Sequence, residues 1–584
     1  MHLDRRQFLG MAGAAALGSV SGCCSLRPVP SSKIPGTPVI KDFPQILVPK
    51  IVANPKKPAR YCVDAHTHFF NASDVNVEGY LAGPVADSET DAGLAQLVRA
   101  LAPIGQAMAS SWALPAAEEY AQLQKLQQSS MVPSNNAAGV NPLDQLIQDH
   151  RHGLANELAD RMKKANVSDL FVRLRQQALS KRRSNVLFDS TLAAPSFDAT
   201  TIEKALSPQQ RLDATRQLFD LNVDAQAAAG DPGGIVEFVG NMLSPRWMNL
   251  RTYQRVYSEE ARAFGIDGVF GALVDFNLWL AGCCSSSMLD QVKVHSMLST
   301  MSGGYMLPLV GYNPWIDVAY KNSPALHTVQ TAIRDYGFVG VKIYPPNGFF
   351  PYGNQGSPLY ASLINSAGRT RPSAKDLDGA LAAFFDWCAA EHVPVMAHAE
   401  QSMGATVASD GFVGKAGWSA LWSRFAGSSD TPIINLGHFG GGSPPNHYPD
   451  DQTPVDFASL MNDRKGGGVF ADLAYWTELR DCSEGQPLCK DALGRLKAAT
   501  AQYAGLGDRI MYGTDWFMIS QEQNWGEYPT WLASNLGGVL PLDKLFYGNA
   551  IQCFGLGAGG LNRQRLEARF ATVPGGLPDW IKSA

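Results

Sequence analysis

Eight short apolar segments recur along this chain, and each is followed by residues with the periodicity of an amphipathic helix. From the second segment onward, successive segments start about 30 to 50 residues apart, which suits a strand, its crossover helix and their loops. Eight such units predict an α/β fold, a (β/α)8 barrel of the TIM type. An open doubly wound sheet is the rival fold, but no glycine-rich phosphate loop follows the first segment. The predicted strands lie at 61–68, 268–276, 305–312, 338–344, 393–398, 432–438, 468–473 and 509–515.

The first connection breaks this spacing, because the long stretch 71–265 separates the first strand from the second. Apolar residues at helical spacing, among them Leu143, Ile147 and Leu154, predict that this insertion is mainly helical. An insertion behind a barrel strand emerges at the face where barrel active sites form, so we expect a cap over the pocket. A helical subdomain for packing or oligomerisation is the alternative. The predicted barrel parts are strand 1 at 60–70, the remainder at 266–560 and a C-terminal extension at 561–584.

The N-terminal residues resemble a twin-arginine export signal that ends in a lipobox. Arg5 and Arg6 precede a weakly apolar segment rich in alanine and glycine, and Val-Ser-Gly-Cys follows it at 20–23. The resemblance implies a signal peptide over 1–22 and passage through the twin-arginine export machinery. It also implies a lipid on Cys23 that anchors the chain at the periplasmic face of a bacterial membrane. A cytosolic helix with an incidental arginine pair is the alternative.

Composition excludes several other classes. The chain has 584 residues, of which 45% are hydrophobic and 17% charged, as in a globular protein. The formal net charge is only −5 and the one compact basic run is 181–183, so we expect no nucleic-acid partner. Prolines recur through 23–59 and favour an extended tether. Beyond the signal, no apolar run reaches the ~18 residues of a membrane-spanning helix.

Histidine and aspartate residues gather at the predicted strand ends. His66 and His68 lie two residues apart in the first strand, so both project from one face. His398, His438 and Asp515 lie at the ends of the fifth, sixth and eighth strands, where barrel enzymes place their catalytic groups. Imidazole and carboxylate groups bind divalent metals. The five side chains together predict a metal site.

This arrangement resembles the amidohydrolase superfamily, and most closely its branch of metal-dependent aromatic-acid decarboxylases and related hydrolases. The resemblance runs from about Arg60 to Leu556, omits the first insertion and includes the closing segment 546–550. It implies one divalent metal, with Zn²⁺ expected first and Mn²⁺ or Fe²⁺ as alternatives. It further implies that His438 lies beside the substrate. The metal ligands implied by the resemblance are His66, His68, His398 and Asp515.

Lys342 leaves the number of metals open. It lies in the fourth predicted strand, where binuclear members of the superfamily carry a carboxylated lysine that bridges two metals. Closer relatives carry a lysine there without this role. A contact with substrate, indirect support of a ligand, or a structural role are therefore the other interpretations of this residue.

Two reactions are compatible with such a site. In the favoured reaction, a metal-activated water attacks a carbonyl-type bond (amide, lactone or ester) of a small molecule. Asp515 transfers the proton, and His438 donates a hydrogen bond to the developing oxyanion. In the second, the metal binds the carboxylate of an aromatic or related acid, and Asp515 or His438 protonates the carbon as CO₂ leaves. Export favours hydrolysis, because small aromatic acids are usually metabolised inside the cell. A metal-binding lipoprotein without catalysis is the third hypothesis.

Further polar residues lie near the predicted strand ends. Asp64, Glu400 and Asp472 are expected to orient ligands, with Asp64 on the same strand face as His66. Tyr344, Asn347 and His447 are expected to contact substrate.

Two cysteines suggest a local cross-link. Cys482 and Cys489 are separated by six residues, and an oxidising compartment favours their pairing in a disulfide. The sequence does not predict the substrate, the oligomeric state or which membrane carries the lipid.

Overall fold

The structure is a computed structural model, and its description covers most of the chain from residue 46 onward, including the last part of the predicted tether. The predicted signal peptide, Cys23 and His447 lie outside the described residues. The described residues are 46–85, 92–128, 142–164, 235–260, 264–278, 284–320, 322–362, 372–402, 407–443, 453–463, 468–480, 482, 486–522 and 524–584.

Eight parallel strands form one sheet in which spatial neighbours follow the order of the chain. Each strand lies within its predicted range, and the predicted (β/α)8 barrel is confirmed. The sheet closes because Ala65 N donates to Tyr512 O at 2.9 Å and Asp515 N donates to His66 O at 2.8 Å. The strands are β1 Val63–Thr67, β2 Gly268–Ala272, β3 Met306–Tyr312, β4 Gly340–Ile343, β5 Val395–His398, β6 Ile434–Gly437, β7 Val469–Asp472 and β8 Ile510–Met511.

Alternate residues of the strands divide between two apolar cores. Outward-facing residues such as Val269 and Val341 pack against the surrounding helices. Inward-facing residues such as Phe270, Met396 and Phe470 fill the lower part of the barrel. Since both faces of every strand are covered, the strands are apolar runs without polar alternation, which is typical of parallel sheets.

The helices surround this sheet, and several begin with a side-chain cap. Ser287 Oγ accepts a hydrogen bond from Asp290 N at 3.1 Å at the start of the helix after β2. None of the described helices is both long enough and apolar enough to cross a bilayer. The α-helices are α1 Val77–Tyr80, α2 Ala92–Trp112, α3 Ala116–Gln128, α4 Pro142–Lys164, α5 Ile235–Met242, α6 Arg246–Gln254, α7 Met288–Met301, α8 Pro314–Ala319, α9 Pro324–Asp335, α10 Pro358–Ser362, α11 Ala374–Ala390, α12 Lys415–Arg424, α13 Pro454–Asp463, α14 Pro487–Gln502, α15 Tyr528–Leu536, α16 Asn549–Cys553, α17 Leu561–Phe570 and α18 Asp579–Lys582.

The described part of the first insertion is mainly helical, as predicted, and comprises α1 to α6. A buried ionic cluster fixes these helices to the loop after β1. Arg246 donates to Asp74 Oδ1 at 2.6 Å and to Glu119 Oε2 at 2.6 Å, and all three side chains are inaccessible to solvent. A buried arginine with two carboxylate partners specifies one arrangement of the elements that carry them.

The C-terminal residues close the lower end of the barrel. Phe554 stacks on Phe270 with ring centroids 3.9 Å apart, and Trp580 meets the same ring edge-on at 6.1 Å. A Cβ atom on Gly268 would lie only 2.5 Å from Trp580 Cε2, so the indole packs directly on the β2 backbone. The segment predicted as an extension is therefore part of the barrel core.

Candidate functional site

The first strand is irregular at the point where it enters the site. Asp64 pairs with Val269 of β2, and Thr67 pairs with Gly271. An advance of three residues along β1 therefore corresponds to an advance of only two along β2. This bulge changes the side-chain alternation. Asp64 consequently turns towards Tyr253 of the insertion, whose hydroxyl donates to Asp64 Oδ2 at 2.8 Å. The expectation that Asp64 shares a face with His66 is wrong, because a strand period of two fails across the bulge.

His66 is held from both sides of its ring. Its Nδ1 lies 3.1 Å from each carboxylate oxygen of Asp472, and its Nε2 lies 2.8 Å from Lys342 Nζ. A carboxylate accepts only, so the Nδ1 proton is on the side of Asp472 and the Nε2 lone pair faces Lys342. This is the tautomer in which Nε2 can bind a metal.

Asp472 is fixed in turn by three further donors. Asn435 Nδ2 donates to it at 2.8 Å, His438 N at 3.0 Å and Ala474 N at 3.1 Å. Burial raises the pKa of Asp472, but the hydrogen bonds from His66 and from the backbone of His438, together with the positive charge of Lys342, outweigh burial, and the net pKa lies below the ordinary value. The group is therefore a carboxylate at neutral pH, and it positions the ring of His66.

Asp515 lies beside both histidines of β1. Its Oδ1 is 3.3 Å from His68 Nε2 and 3.9 Å from His66 Nε2. On the other side of its ring, His68 Nδ1 donates to Ala272 O at 2.8 Å. Burial lowers the pKa of His68 to about 4, against the raising effect of Asp515. His68 is thus a neutral imidazole at neutral pH, as a metal ligand must be.

Two site residues adopt left-handed backbone conformations that are rare outside glycine. Asp515 has φ +60° and His438 has φ +69°, and Phe439 follows with φ +47°. Hydrogen bonds hold these conformations, among them Trp476 Nε1 to His438 O at 2.7 Å. Such conformations concentrate at functional sites, where the surrounding structure must enforce them.

The two remaining histidines complete the cluster. The ring centroids of His398 and His438 lie 4.4 Å apart, and those of His66 and His438 lie 4.7 Å apart. His438 Nδ1 lies 3.1 Å from Ala474 O and 3.5 Å from Glu400 Oε2. All five histidine and aspartate residues predicted from the strand ends thus lie around one buried point.

The donor set fits a divalent metal. Ligand atoms of His66, His438 and Asp515 all lie within 4.8 Å of one another, and all three residues are buried. Two imidazoles and a carboxylate are a common protein ligand set for Zn²⁺ and related ions. The resemblance implies that His438 lies beside the substrate, but in the structure His438 belongs to this ligand group. His68 and His398, which the resemblance implies as ligands, lie nearby but outside the group. A metal and the ammonium of Lys342 compete for the same lone pair, on His66 Nε2.

An aromatic wall borders the cluster. The ring of Phe70 lies 5.7 Å from that of His68 and 5.1 Å from that of Phe517. The ring of Phe276 lies 5.9 Å from Phe70 and 5.7 Å from Tyr344. These rings meet at angles of 60 to 72° and form an apolar border beside the cluster.

Other predicted contacts have defined places. The hydroxyl of Tyr344 lies 2.6 Å from Ser402 Oγ, and Asn347 Nδ2 donates to the backbone oxygen of Asp275 at 3.2 Å. Tyr344 also reaches the cluster directly, since its ring centroid is 5.0 Å from that of His398.

Cys482 and Cys489 form a disulfide in the structure, with their Cα atoms 5.2 Å apart. This bond links the loop after β7 to the first turn of α14.

A network at the junction of β1 and β8 was not expected from the sequence. Asp64 accepts from Thr514 Oγ1 at 2.6 Å, from Thr514 N at 3.0 Å and from His66 N at 3.1 Å. Burial raises the pKa of Asp64 to about 7 against these hydrogen bonds. Thr514 directly precedes Asp515, so the carboxylate of Asp64 holds the backbone next to Asp515 as well as the backbone of His66. Tyr253 and Asn435 were missed as well, since neither lies in a pattern that distinguishes it from a core residue.

No family profile and no curated protein matches the chain. Among solved structures, an uncharacterised TIM-barrel protein from Bordetella bronchiseptica is similar at 12% identity and a TM-score of 0.33, covering 57% of this chain and 89% of that one. An amidohydrolase from Burkholderia multivorans follows at 11% identity and a TM-score of 0.31, covering 50% and 83%. A protein from Agrobacterium tumefaciens has 16% identity and a TM-score of 0.29, covering 53% and 86%. Similarities this weak carry no argument about the reaction, and the barrel is established by its own strand topology.

Proposed function

We propose that this protein is a metal-dependent hydrolase that cleaves a carbonyl-type bond, an amide, lactone or ester, in a small molecule bound at the C-terminal mouth of the barrel. The observation that carries the proposal is the convergence of His66, His438 and Asp515, whose ligand atoms lie within 4.8 Å of one another. Barrel enzymes place their chemistry at this end of the strands.

Each residue has a role that follows from its contacts. When bound, a divalent metal, with Zn²⁺ expected first and Mn²⁺ or Fe²⁺ as alternatives, supplies Lewis-acid polarisation and lowers the pKa of water. Asp472 keeps the Nδ1 proton on His66. Asp515 is the group that accepts the proton of the attacking water and returns it to the leaving group, because its Oδ1 faces the histidines of β1. His438 donates to the developing oxyanion or completes the ligand set.

Lys342 supports a second candidate, non-oxidative decarboxylation of an aromatic or related carboxylic acid. Its buried ammonium lies next to His66 and would pair with a substrate carboxylate. The ring of Phe70, which lies next to His68, and that of Phe276 beside it would contact an aromatic ring bound at the cluster. Asp515 or His438 would then protonate the ring carbon that loses CO₂.

The proposal also includes the location. The twin arginines and Cys23 support export and lipid anchoring at the periplasmic face of a bacterial membrane. Export favours hydrolysis over decarboxylation, since the substrates of the latter are usually consumed inside the cell.

The test combines metal content with a substrate panel. The purified protein, grown with Zn²⁺, Mn²⁺ and Fe²⁺ available, is expected to hold about one metal per chain. His66→Ala should lose it, and the matched control His327→Ala, a histidine on α9 outside the site, should keep it. Amides, lactones, esters and hydroxybenzoates are then assayed for hydrolysis and for CO₂ release.

The possible outcomes separate the hypotheses. Hydrolysis that disappears in Asp515→Asn supports the proposal, and CO₂ release supports the second candidate. If the protein holds stoichiometric metal but turns over none of these compounds, the result supports the third hypothesis, a metal-binding lipoprotein without catalysis. A wild-type protein without bound metal overturns both enzymatic mechanisms.

A further inference from the structure

The end of the barrel opposite the candidate site has a distinct surface, which we call the basic face. It is formed by the chain that leads into β1, residues 48–60, together with the residues before β2 and the C-terminal turn. Lys57 Nζ donates to Gly265 O at 2.9 Å, and Cys62 N donates to Asp267 Oδ2 at 2.7 Å. Residues 48–60 therefore lie against the N-terminal ends of the strands, away from the mouth.

Within the basic face, residues 48–60 carry charge of one sign. Residues 48–60 contain Lys50, Lys56, Lys57 and Arg60 and no acidic residue. Lys50, Lys56 and Arg60 are exposed, whereas Lys57 pairs with Asp267.

Acidic groups also lie around this face, and some of them pair with cations. Glu259 pairs with Arg251 at 2.7 Å, and Asp579 pairs with Lys582 at 3.3 Å. Among the described residues, no carboxylate pairs with the side chain of Lys50, Lys56 or Arg60, so these three cations are available to an anionic partner.

Apolar side chains are exposed on the same face. Val48 is 49% exposed and Ile51 is 37% exposed, and only three other large apolar side chains of the described residues are exposed to this degree. Both line a cleft of about 370 Å³ together with Leu577, Pro578 and Trp580, and the side chains of Asp267, Asp579 and Lys582 line it as well. Exposed apolar residues beside lysine and arginine are the composition of segments that lie in a membrane interface.

We propose that the basic face is a membrane-contact surface that rests on a bilayer containing anionic phospholipid. Charge complementarity selects this occupant, because an anionic headgroup layer matches the three cations while Val48 and Ile51 enter the interface. The proposed lipid on Cys23 precedes the described fold by residues 24–45, which span up to ~70 Å when extended. The candidate site then opens away from the membrane.

The test uses residues 24–584, which include every described residue but neither the signal peptide nor the lipid-bearing cysteine. Binding is measured by cosedimentation with vesicles of phosphatidylglycerol and phosphatidylcholine, and with vesicles of phosphatidylcholine alone. We expect binding to the anionic vesicles only, and weaker binding as salt increases. The triple variant K50E/K56E/R60E should bind at least ~10-fold less, since each cation contributes to the attraction. The matched triple variant K125E/K490E/K497E, which reverses three exposed lysines on α3 and α14, should bind like the wild type.

A double variant measures the contribution of the two apolar side chains separately. V48S/I51S should reduce binding at low and at high salt alike, and circular dichroism checks that every variant is folded. Equal binding of the wild type and K50E/K56E/R60E, or no binding of the wild type, overturns the proposal. So does a wild-type dimer in sedimentation analysis that becomes monomeric in K50E/K56E/R60E, because the occupant would then be a second copy. The result is independent of the hydrolase assay, which none of these residues should affect.

Discussion

At the scale of single residues, the site depends on which ring nitrogen of His66 carries the proton. Asp472 fixes that choice through two 3.1 Å contacts, and the donors on Asp472 prevent it from turning away. The sequence predicts both residues, since each lies at the end of an apolar strand. It does not predict their pairing, because β1 and β7 are far apart in the chain and only barrel closure brings them together.

Asp472→Asn should weaken metal binding by about 10- to 100-fold, because the amide no longer supplies a charged acceptor for the Nδ1 proton of His66. Metal affinity is measured by competition with a chelator. Asp290→Asn, which alters a partly exposed carboxylate on α7, is the matched control and should bind metal normally. Unchanged affinity in Asp472→Asn would show that His66 is oriented by other contacts.

Lys342→Met should retain at least one metal and bind it more tightly than the wild type, because the ammonium that lies 2.8 Å from His66 Nε2 is removed. The measurement is metal stoichiometry and affinity in the two proteins. Loss of about one of two metals in the variant would contradict this expectation and favour the carboxylated, bridging lysine.

The ligand assignments also show where prediction from sequence stops. Strand ends locate the five candidates, but the left-handed backbone of His438 and Asp515 decides which atoms converge. His438 O accepts a hydrogen bond from Trp476, and Asp515 N donates one to His66 O. Both hydrogen bonds join segments that belong to different strands or follow them. No local pattern in the sequence contains that information.

At the scale of elements, single insertions and long-range hydrogen bonds change what periodicity predicts. One extra residue in β1 sends Asp64 towards α6, so the insertion is connected to the site through Tyr253. Helical periodicity predicts the character of the insertion, yet it cannot predict this contact. The role of the insertion as a cap over the pocket stays a prediction.

His295 on α7 should make the protein sensitive to acid. Its side chain is fully buried, and burial together with the nearby charge of Arg246 lowers its pKa from 6.5 to about 3. The folded state keeps the ring neutral while the unfolded state takes up a proton below pH 6.5. The contribution to stability is thus present above that pH and is lost as the pH falls towards 3.

Denaturant unfolding between about pH 4 and pH 6 measures this effect. In His295→Asn, which keeps a donor near Gln291 O, the dependence of the unfolding free energy on pH should decrease by one proton, about 1.4 kcal/mol per pH unit. Ser299→Ala, a change on the same helix that removes no titratable group, should keep the wild-type slope. Identical slopes in all three proteins would contradict the assignment to His295.

At the scale of the whole molecule, the barrel is predictable because eight strand units repeat along the chain. Its closure at the lower end is not, because Trp580 is one aromatic residue in a short terminal helix. The indole of Trp580 packs against β2 because Gly268 has no side chain there. This contact is visible only in the folded structure.

Trp580→Ala should destabilise the protein by about 3 to 5 kcal/mol, as expected when a large buried aromatic leaves a cavity. Urea unfolding measures the loss, and Trp531→Ala, at a partly buried tryptophan on α15, should cost less. Metal content should not change, since the cavity lies at the end of the barrel away from the ligands. A variant with native stability would contradict the view that these residues complete the core.

The carboxylate of Asp64 joins parts of the chain that are 450 residues apart, where it meets Thr514. During synthesis, β1 therefore leaves the ribosome long before the strand that must cover its open edge exists. Until then, the edge of β1 exposes backbone groups that invite pairing with other chains. We therefore expect a chain that ends before residue 514 to be prone to aggregation, because this edge then stays unpaired.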